Sequence, residues 1–290
     1  MASTIVLRQR IKSVKGTRQI TQAQQLVAAS KLRRAQEYAQ QSRAYGELAT
    51  ELLQRLGNLA EVSRQPLFEK RTVKNRLYII ITSNTGLAGA YNANVLKLLT
   101  TAVRQDRDGK VQSRVIAIGN KGAQFVRRVS EIDLEAAYPG FGDRPTANDL
   151  RPVLNTLVEQ YRNGDVDEVH VLFTKFKSTV NQVAESLQLL PAQPVEAKEG
   201  DATVAISNFE PDVETVIDQV ATRLIEAQVW QALLESIASE HAMRMVAMKN
   251  ATDNAKDLID DYTLELNTAR QAAITQELAE ITGGAEALNG

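Results

Sequence analysis

Residues His241–Ala269 read HAMRMVAMKNATDNAKDLIDDYTLELNTA, and the fold turns on how this stretch is read. It contains neither glycine nor proline. His241, Met245, Met248, Thr252, Ala255, Ile259, Tyr262, Leu266 and Ala269 recur at alternating steps of four and three. A mean step of 3.5 residues keeps one stripe turned toward a partner helix, so this is the seam of a left-handed coiled coil. The same rhythm runs back through Ile217, Val220, Leu224, Ala227, Gln231, Leu234 and Ala238, and forward to Ala273. Only Gln231, His241 and Thr252 put polar side chains in it.

The helix breakers say where the partner is. All 7 prolines lie between Pro66 and Pro211, and no glycine occurs from Asp201 through Thr282. Both flanks are therefore free to be long helices. The N-terminal flank is less regular, with Leu7, Ile11, Val14, Ile20 and Val27, then Tyr38, Tyr45, Leu48, Leu52 and Leu59. Two long helices joined through a compact middle most simply pair antiparallel. This gives an expected division into 1–60, 61–210 and 211–290. A helix over Thr4–Leu59 would reach roughly 80 Å and one from Asp212 to Thr282 roughly 105 Å. The second outruns the first from near Asn267. The stretch NTARQAAITQELAEI (Asn267–Ile281), whose apolar positions are mostly alanine, is thus expected to be an unpaired tip that suits insertion into a sleeve of other chains. Gly283-Gly284 is expected to end the helix.

Charge fits the pairing. No acidic residue precedes Glu37, while Arg8, Arg10, Lys12, Lys15, Arg18, Lys31, Arg33 and Arg34 do; the distal C-terminal flank carries Asp253, Asp257, Asp260, Asp261 and Glu265. Opposite signs favour the hetero-pair, although an exposed ion pair contributes little. The net charge of −1, and the lack of aromatic residues among the basic ones, argue against nucleic acid as the partner. With no cysteine there is no disulfide, thiolate nucleophile or Cys-ligated zinc. No apolar run has membrane-spanning length, and the N-terminus lacks a signal core, so a cytosol-like compartment is the default.

The middle alternates strand and helix patterns. RLYIIITS (Arg76–Ser83), SRVIAIGN (Ser113–Asn120) and DEVHVLFTKF (Asp167–Phe176) read as buried strands. YNANVLKLLTTAVRQ, KGAQFVRRV and about Ala147–Tyr161 read as the helices between them, and Gln182–Pro191 as a further edge element. Such alternation implies a mainly parallel, Rossmann-like α/β sheet. Its glycine loop, SNTGLAGAYN (Ser83–Asn92), lies where phosphate-binding loops lie. Its spacing is neither GxxxxGK[ST] nor GxGxxG, and the second strand ends in a plain GNKG, so a tight turn is expected. Asp106 and Asp108 stand at ribose-binding distance, but surface loops offer aspartates freely. No GxSxG elbow, HExxH helix or paired acid and base is present. His170 reads as a strand-face residue and His241 as a seam residue that sets register. The residues describe contact surfaces rather than an active site, and imply no cofactor or metal.

Three stretches, LVAASKLRRAQ (Leu26–Gln36), EHAMRMVAMKNATDNAKDLI (Glu240–Ile259) and NTARQAAITQELAEITGGAEAL (Asn267–Leu288), closely resemble the gamma subunit of F-type ATP synthase. The resemblance is collinear and includes GLAGAYN and GNKG in the middle. It implies a non-catalytic rotor shaft inside a ring of alternating alpha and beta subunits. The α/β domain would lie beside the epsilon subunit and on the membrane c-ring, with no nucleotide bound to this chain. It also implies a peripheral place on the cytoplasmic face of a bacterial plasma membrane. Carried over by motif, Arg270, Gln271, Thr275 and Glu277 resemble the residues that catch the ring. Arg244 resembles a further contact or helix-pair residue, and Lys31, Arg33 and Arg34 would face an acidic loop of beta.

Two departures stand out. Gln22-Ala23-Gln24-Gln25-Leu26 replaces a common Lys-Ala-Met-Glu-Met, and Asn84-Thr85 replaces the usual Asp-Arg of the glycine loop. The chloroplast regulatory insertion, with its cysteine pair, is absent. The competing readings are a coiled-coil adaptor or nucleic-acid-binding protein with a Rossmann-like domain, and a Rossmann-type nucleotide enzyme with a coiled-coil arm. Neither explains the overhanging tip.

Overall fold

The computed structural model describes residues 4–56, 65–142, 145–192 and 213–289. The expected boundaries at 60/61 and 210/211, Leu59 and the helix start at Asp212 fall outside them, as do the side chains of Tyr45 and Leu52. The chain forms two compact units, Met1–Ala28 with Met245–Gly290, and Ala29–Arg244.

Two long helices flank the chain as expected, α1 (Thr4–Leu56) and α5 (Val213–Asn289). In the first unit they run antiparallel. The Arg10 guanidinium lies 5.8 Å from the Tyr262 ring, and Thr21 Oγ1 meets Thr252 Oγ1 at 2.7 Å. Eleven residues along α1 thus match ten back along α5. On α5, Met248, Ala255 and Ile259 are buried with Thr252 half-buried between them, which is the expected seam.

The N-terminal seam differs from the expectation. Ile20 and Val27 are exposed (60% and 54%). The covered positions are Leu7, Ile11, Val14, Arg18, Thr21, Gln25 and Ala28, continuing in the second unit with Leu32, Ala35 and Ala39. Their steps alternate four and three without a break. The heptad is intact but is filled with small and polar side chains, so a search for large apolar residues follows the wrong face.

The second unit holds a five-stranded sheet in the order β3-β2-β1-β4-β5. Its elements are β1 (Asn75–Ile81), α2 (Tyr91–Asp108), β2 (Gln112–Ile118), α3 (Asn120–Val126), β3 (Asp133–Tyr138), α4 (Ala147–Asn163), β4 (Glu168–Phe176) and β5 (Gln182–Leu190). The first four strands are parallel and β5 is an antiparallel edge. β1 reads as one apolar run because both its faces are covered. Leu77, Ile79 and Ile81 join Leu150, Val153, Leu157 and Tyr161 of α4, together with Ile217, Ile225 and Val229 of α5. Tyr78 and Ile80 join Val95, Leu99 and Val103 of α2 and Val126 of α3 on the other face. The proximal part of α5 therefore has two buried sides. One carries the seam and the other forms a layer of the α/β sandwich, which the heptad alone does not reveal.

β3 is absent from the sequence reading. DLEAAY is a half-buried edge strand, joined to β2 across a register shift between Val115 and Ile116, and it has no apolar run to announce it. The end of α5 also differs. The helix passes through Gly283-Gly284 to Asn289 instead of stopping. Neither glycine takes the positive φ that a C-terminal cap requires. Glycine costs a helix about 1 kcal/mol relative to alanine but does not forbid it, and the following AEAL are good helix formers.

At the amino ends of β1 and β4 lies a polar knot. Asp106 accepts hydrogen bonds from Tyr78 Oη (2.7 Å), Ser113 Oγ (2.8 Å) and Arg76. Arg76 Nε also donates to Glu168 Oε2 (2.6 Å), and His170 Nε2 lies 3.2 Å from Glu168 Oε1. Asp106 is thus a buried structural carboxylate at the opposite end of β1 from the glycine loop, which removes it as a ribose ligand. The adjacent His170 ring, then the hydrogen bond from Arg76, holds the Glu168 carboxyl below the usual range. A depressed carboxyl stabilises the fold above its unfolded pKa and loses that effect as pH falls through its folded value. Glu168→Gln should lower stability by on the order of 2 kcal/mol at neutral pH, as expected for hydrogen bonds to a charged group. The difference should shrink toward pH 3, as urea unfolding at both pH values would show; an equal gap at the two would refute the assignment.

Candidate functional site

Two places concentrate the sequence-predicted residues, the distal end of α5 and the glycine loop after β1.

The antiparallel register that sets Arg10 against Tyr262 brings Thr4 opposite about residue 268. From Arg270 to Ala285 every residue of α5 is exposed. The distal helix is unpartnered, as expected from near Asn267. Helical spacing divides it into two sides. Arg270, Ile274, Glu277 and Ile281 form one row, and Gln271, Thr275, Leu278 and Thr282 form the adjacent row. All four predicted tip residues therefore share one side with three large aliphatic residues, Ile274, Leu278 and Ile281, exposed by 49%, 58% and 68%. The opposite side is Ala272, Ala279, Gln276 and Glu280, with a Gln276–Glu280 hydrogen bond of 3.0 Å. Describing the tip as mostly alanine misses this asymmetry. The Thr275 hydroxyl donates to Gln271 O at 2.9 Å.

Lys31, Arg33 and Arg34 stand on α1 in the second unit. Arg33 Nε pairs with Glu37 at 3.2 Å, with both side chains exposed, which is worth a few tenths of a kcal/mol. Lys31 is half-buried and Arg34 exposed. Arg244 is not on an open surface. Its Nη1 donates to Glu240 Oε1 (2.6 Å), while Nη2 reaches Thr85 Oγ1 and Gly86 O (both 3.3 Å). Arg244, expected as a further contact or helix-pair residue, is a brace between α5 and the glycine loop.

That loop is closed by its own side chains. Ser83 N donates to Asn92 Oδ1 (3.0 Å), Asn92 Nδ2 donates to Ser83 Oγ (2.8 Å), and Ser83 Oγ donates to Thr85 O (2.7 Å). The departure at position 84 has a physical account. Asn84 Oδ1 accepts from Gly140 N (2.9 Å) and Asn120 N (3.2 Å), and its Nδ2 donates to Gly140 O (3.0 Å). The amide mimics a peptide group, which a carboxylate could only half reproduce. A Cβ on Gly140 would lie 2.9 Å from Asn84 Nδ2. GNKG is likewise structural, since Gly119 has φ +100 and a Cβ there would lie 2.1 Å from Thr82 O.

In doubly wound sheets the ligand crevice opens at the carboxyl ends of the strands where the order reverses, here between β1 and β4. Helix α5 fills that place. Ser236 Oγ meets Tyr91 Oη at 2.7 Å, and Ser239 Oγ donates to Thr174 O at 3.0 Å. Burial pushes the Tyr91 hydroxyl well above its ordinary range, so it stays neutral. Among the described residues no cluster of three metal-binding side chains exists, and no helix is long and apolar enough to cross a membrane. The isolated chain is therefore expected to show no micromolar ATP or NAD binding by calorimetry. Binding that disappears in Gly86→Val, a position with open space around it, would overturn this.

The family model for ATP synthase matches residues 3–288. The ATP synthase gamma chain of Psychrobacter arcticus is 40% identical, covering 100% of both chains. That of Opitutus terrae is 42% identical over 97% of each. The chain belongs to the ATP synthase gamma-chain family. Membership makes it a non-catalytic, central-stalk subunit of an F-type ATP synthase, and the adaptor and nucleic-acid readings find no support. Solved structures share the fold. A chain of the Euglena gracilis mitochondrial ATP synthase matches with a TM-score of 0.66 at 19% identity, covering 98% of this chain and 94% of that one. One from the central stalk and c-ring of the Tetrahymena thermophila enzyme matches at 0.60 and 23%, covering 80% and 99%.

Proposed function

We infer that the chain is the rotor that couples turning of the membrane c-ring to conformational cycling of the catalytic beta subunits. The observation that carries this is the unpartnered distal part of α5, exposed all round and bearing its large aliphatic groups on one side only. An asymmetric shaft end touches each surrounding subunit differently at each angle, and a differential contact of that kind is what shifts a neighbour between conformations. The partners of the tip are the alpha and beta subunits of the ring, reached by Arg270, Gln271, Thr275 and Glu277. Lys31, Arg33 and Arg34 face an acidic surface of beta, while Arg244 acts within the chain. The α/β domain meets the epsilon subunit and the c-ring, which places the chain on the cytoplasmic face of a bacterial plasma membrane as part of the F1 sector.

The test is reconstitution. Purified chain added to alpha and beta subunits should enter a complex of defined stoichiometry and raise its ATP hydrolysis. A chain cut after Leu266 should give a complex of the same composition with most of that activity lost. A full-length chain that elutes alone from gel filtration would refute the reading.

A further inference from the structure

The packing of α5 on the sheet is almost wholly aliphatic, through Ile217, Ala221, Ile225, Val229, Ala232 and Leu233. Such packing is non-directional, so it resists separation far better than it resists a small roll of the helix about its own axis. At the next turns the chemistry changes. Ser236, Glu240 and Arg244 stack one turn apart on one face of α5, with Ser239 beside them, and both serines are fully buried (0%).

The two serines have fixed partners on the sheet, and Arg244 has its partners on the glycine loop. The β1–β4 ladder ends at Ile80–Leu172, short of Thr174. The Thr174 backbone is taken up by the helix instead: its N–H donates to Ser236 Oγ (3.4 Å), and its carbonyl accepts from Ser239 Oγ (3.0 Å). With Ser236 Oγ accepting from Thr174, its hydroxyl proton is available to Tyr91 Oη at 2.7 Å, and the Tyr91 hydroxyl points in turn to Ile81 O at 3.5 Å. Arg244 then holds Thr85 and Gly86 of the glycine loop. β1, its loop and β4 are thus each tied to one side of one helix by hydrogen bonds, which lose strength steeply when bent.

We propose that Ser236, Ser239 and Arg244, with Tyr91, Thr174 and Thr85 opposite them, form a torsional lock that makes α5 and the α/β domain turn as one body. They act as positioning residues for rotation; none touches a nucleotide. The inference rests on the rotor reading above and adds where torque crosses between helix and domain.

The test is angular noise in the assembled, surface-held alpha–beta ring. The chain has no native cysteine, so Val180→Cys, at the exposed turn between β4 and β5, gives a single site for a rotation probe. In Tyr91→Phe with Ser236→Ala, the distribution of probe angle during an ATP-waiting dwell should widen roughly 1.4-fold, the value for losing about half of the restoring stiffness to directional bonds. Should that pair fail to assemble, Tyr91→Phe alone removes one hydroxyl and should still widen the distribution. A lowered melting temperature with an unchanged width would mean that the serines only stabilise the fold, and would overturn the lock. A wild-type chain that does not rotate in the ring would overturn the rotor reading as well, so the two failures are distinct.

Discussion

Replacing Arg270 and Gln271 together by alanine should leave the chain folded and assembled and lower ATP turnover by the complex about tenfold or more. Both side chains are exposed on a helix with no partner of its own, where substitutions alter stability by about 0.5 kcal/mol or less. In the complex, Arg270 can make bidentate, charge-assisted hydrogen bonds to a carboxylate or to backbone carbonyls, and Gln271 can donate and accept beside it. These contacts would form only at particular rotor angles, so their loss falls on the driven step rather than on assembly. About 1.4 kcal/mol lost from that step is a factor of ten in rate. The measurement is steady-state ATP hydrolysis by reconstituted complexes whose composition is checked by gel filtration. Full turnover in the assembled double variant would exclude these two residues as working contacts. The structure adds a control on the same helix. Ala272 and Ala279 lie on the opposite side, so serine at both should leave turnover near wild type.

Deleting Gly283–Gly290 should lower turnover less than the double substitution, because Arg270, Gln271, Thr275 and Glu277 all remain. Because α5 continues through these residues to Asn289, the deletion shortens a continuous helix rather than trimming a tail.

The second large effect concerns the fold. Gly119→Ala should destabilise the α/β unit by on the order of 4 kcal/mol and yield little soluble chain, because two independent costs coincide. The residue holds φ +100 with ψ 141, a region open essentially to glycine alone. A Cβ there would also stand 2.1 Å from the Thr82 carbonyl oxygen and 2.6 Å from its carbon, and backbone cannot yield as a side chain can. Gly86→Ala is the matched control in the other glycine loop, where nothing lies within 4 Å. Urea unfolding of the two variants decides the matter; equal midpoints would refute the steric account.

The sequence by itself determined the periodic parts. The four–three seam of α5, the confinement of proline to the middle and the three apolar strands each state a local period, and a period survives without knowledge of the partner. It also determined that α5 outruns α1, since helix length follows from residue number at a fixed rise. Only the tertiary structure decided which faces are covered. The N-terminal seam runs through Arg18, Thr21, Gln25 and Ala28, with Thr21 meeting Thr252 of the facing helix, while Ile20 and Val27 remain outside. β3 forms because β2 offers it an edge, not because DLEAAY has a strand pattern of its own. Ser236 and Ser239 look like interruptions of an apolar helix until the short end of β1 leaves the Thr174 backbone to be satisfied. Arg244 reads as a further contact or helix-pair residue until the glycine loop folds back beneath it. Local periodicity is written in one segment of chain, whereas burial and hydrogen-bond satisfaction are properties of two segments brought together, and the second segment is what a linear reading lacks.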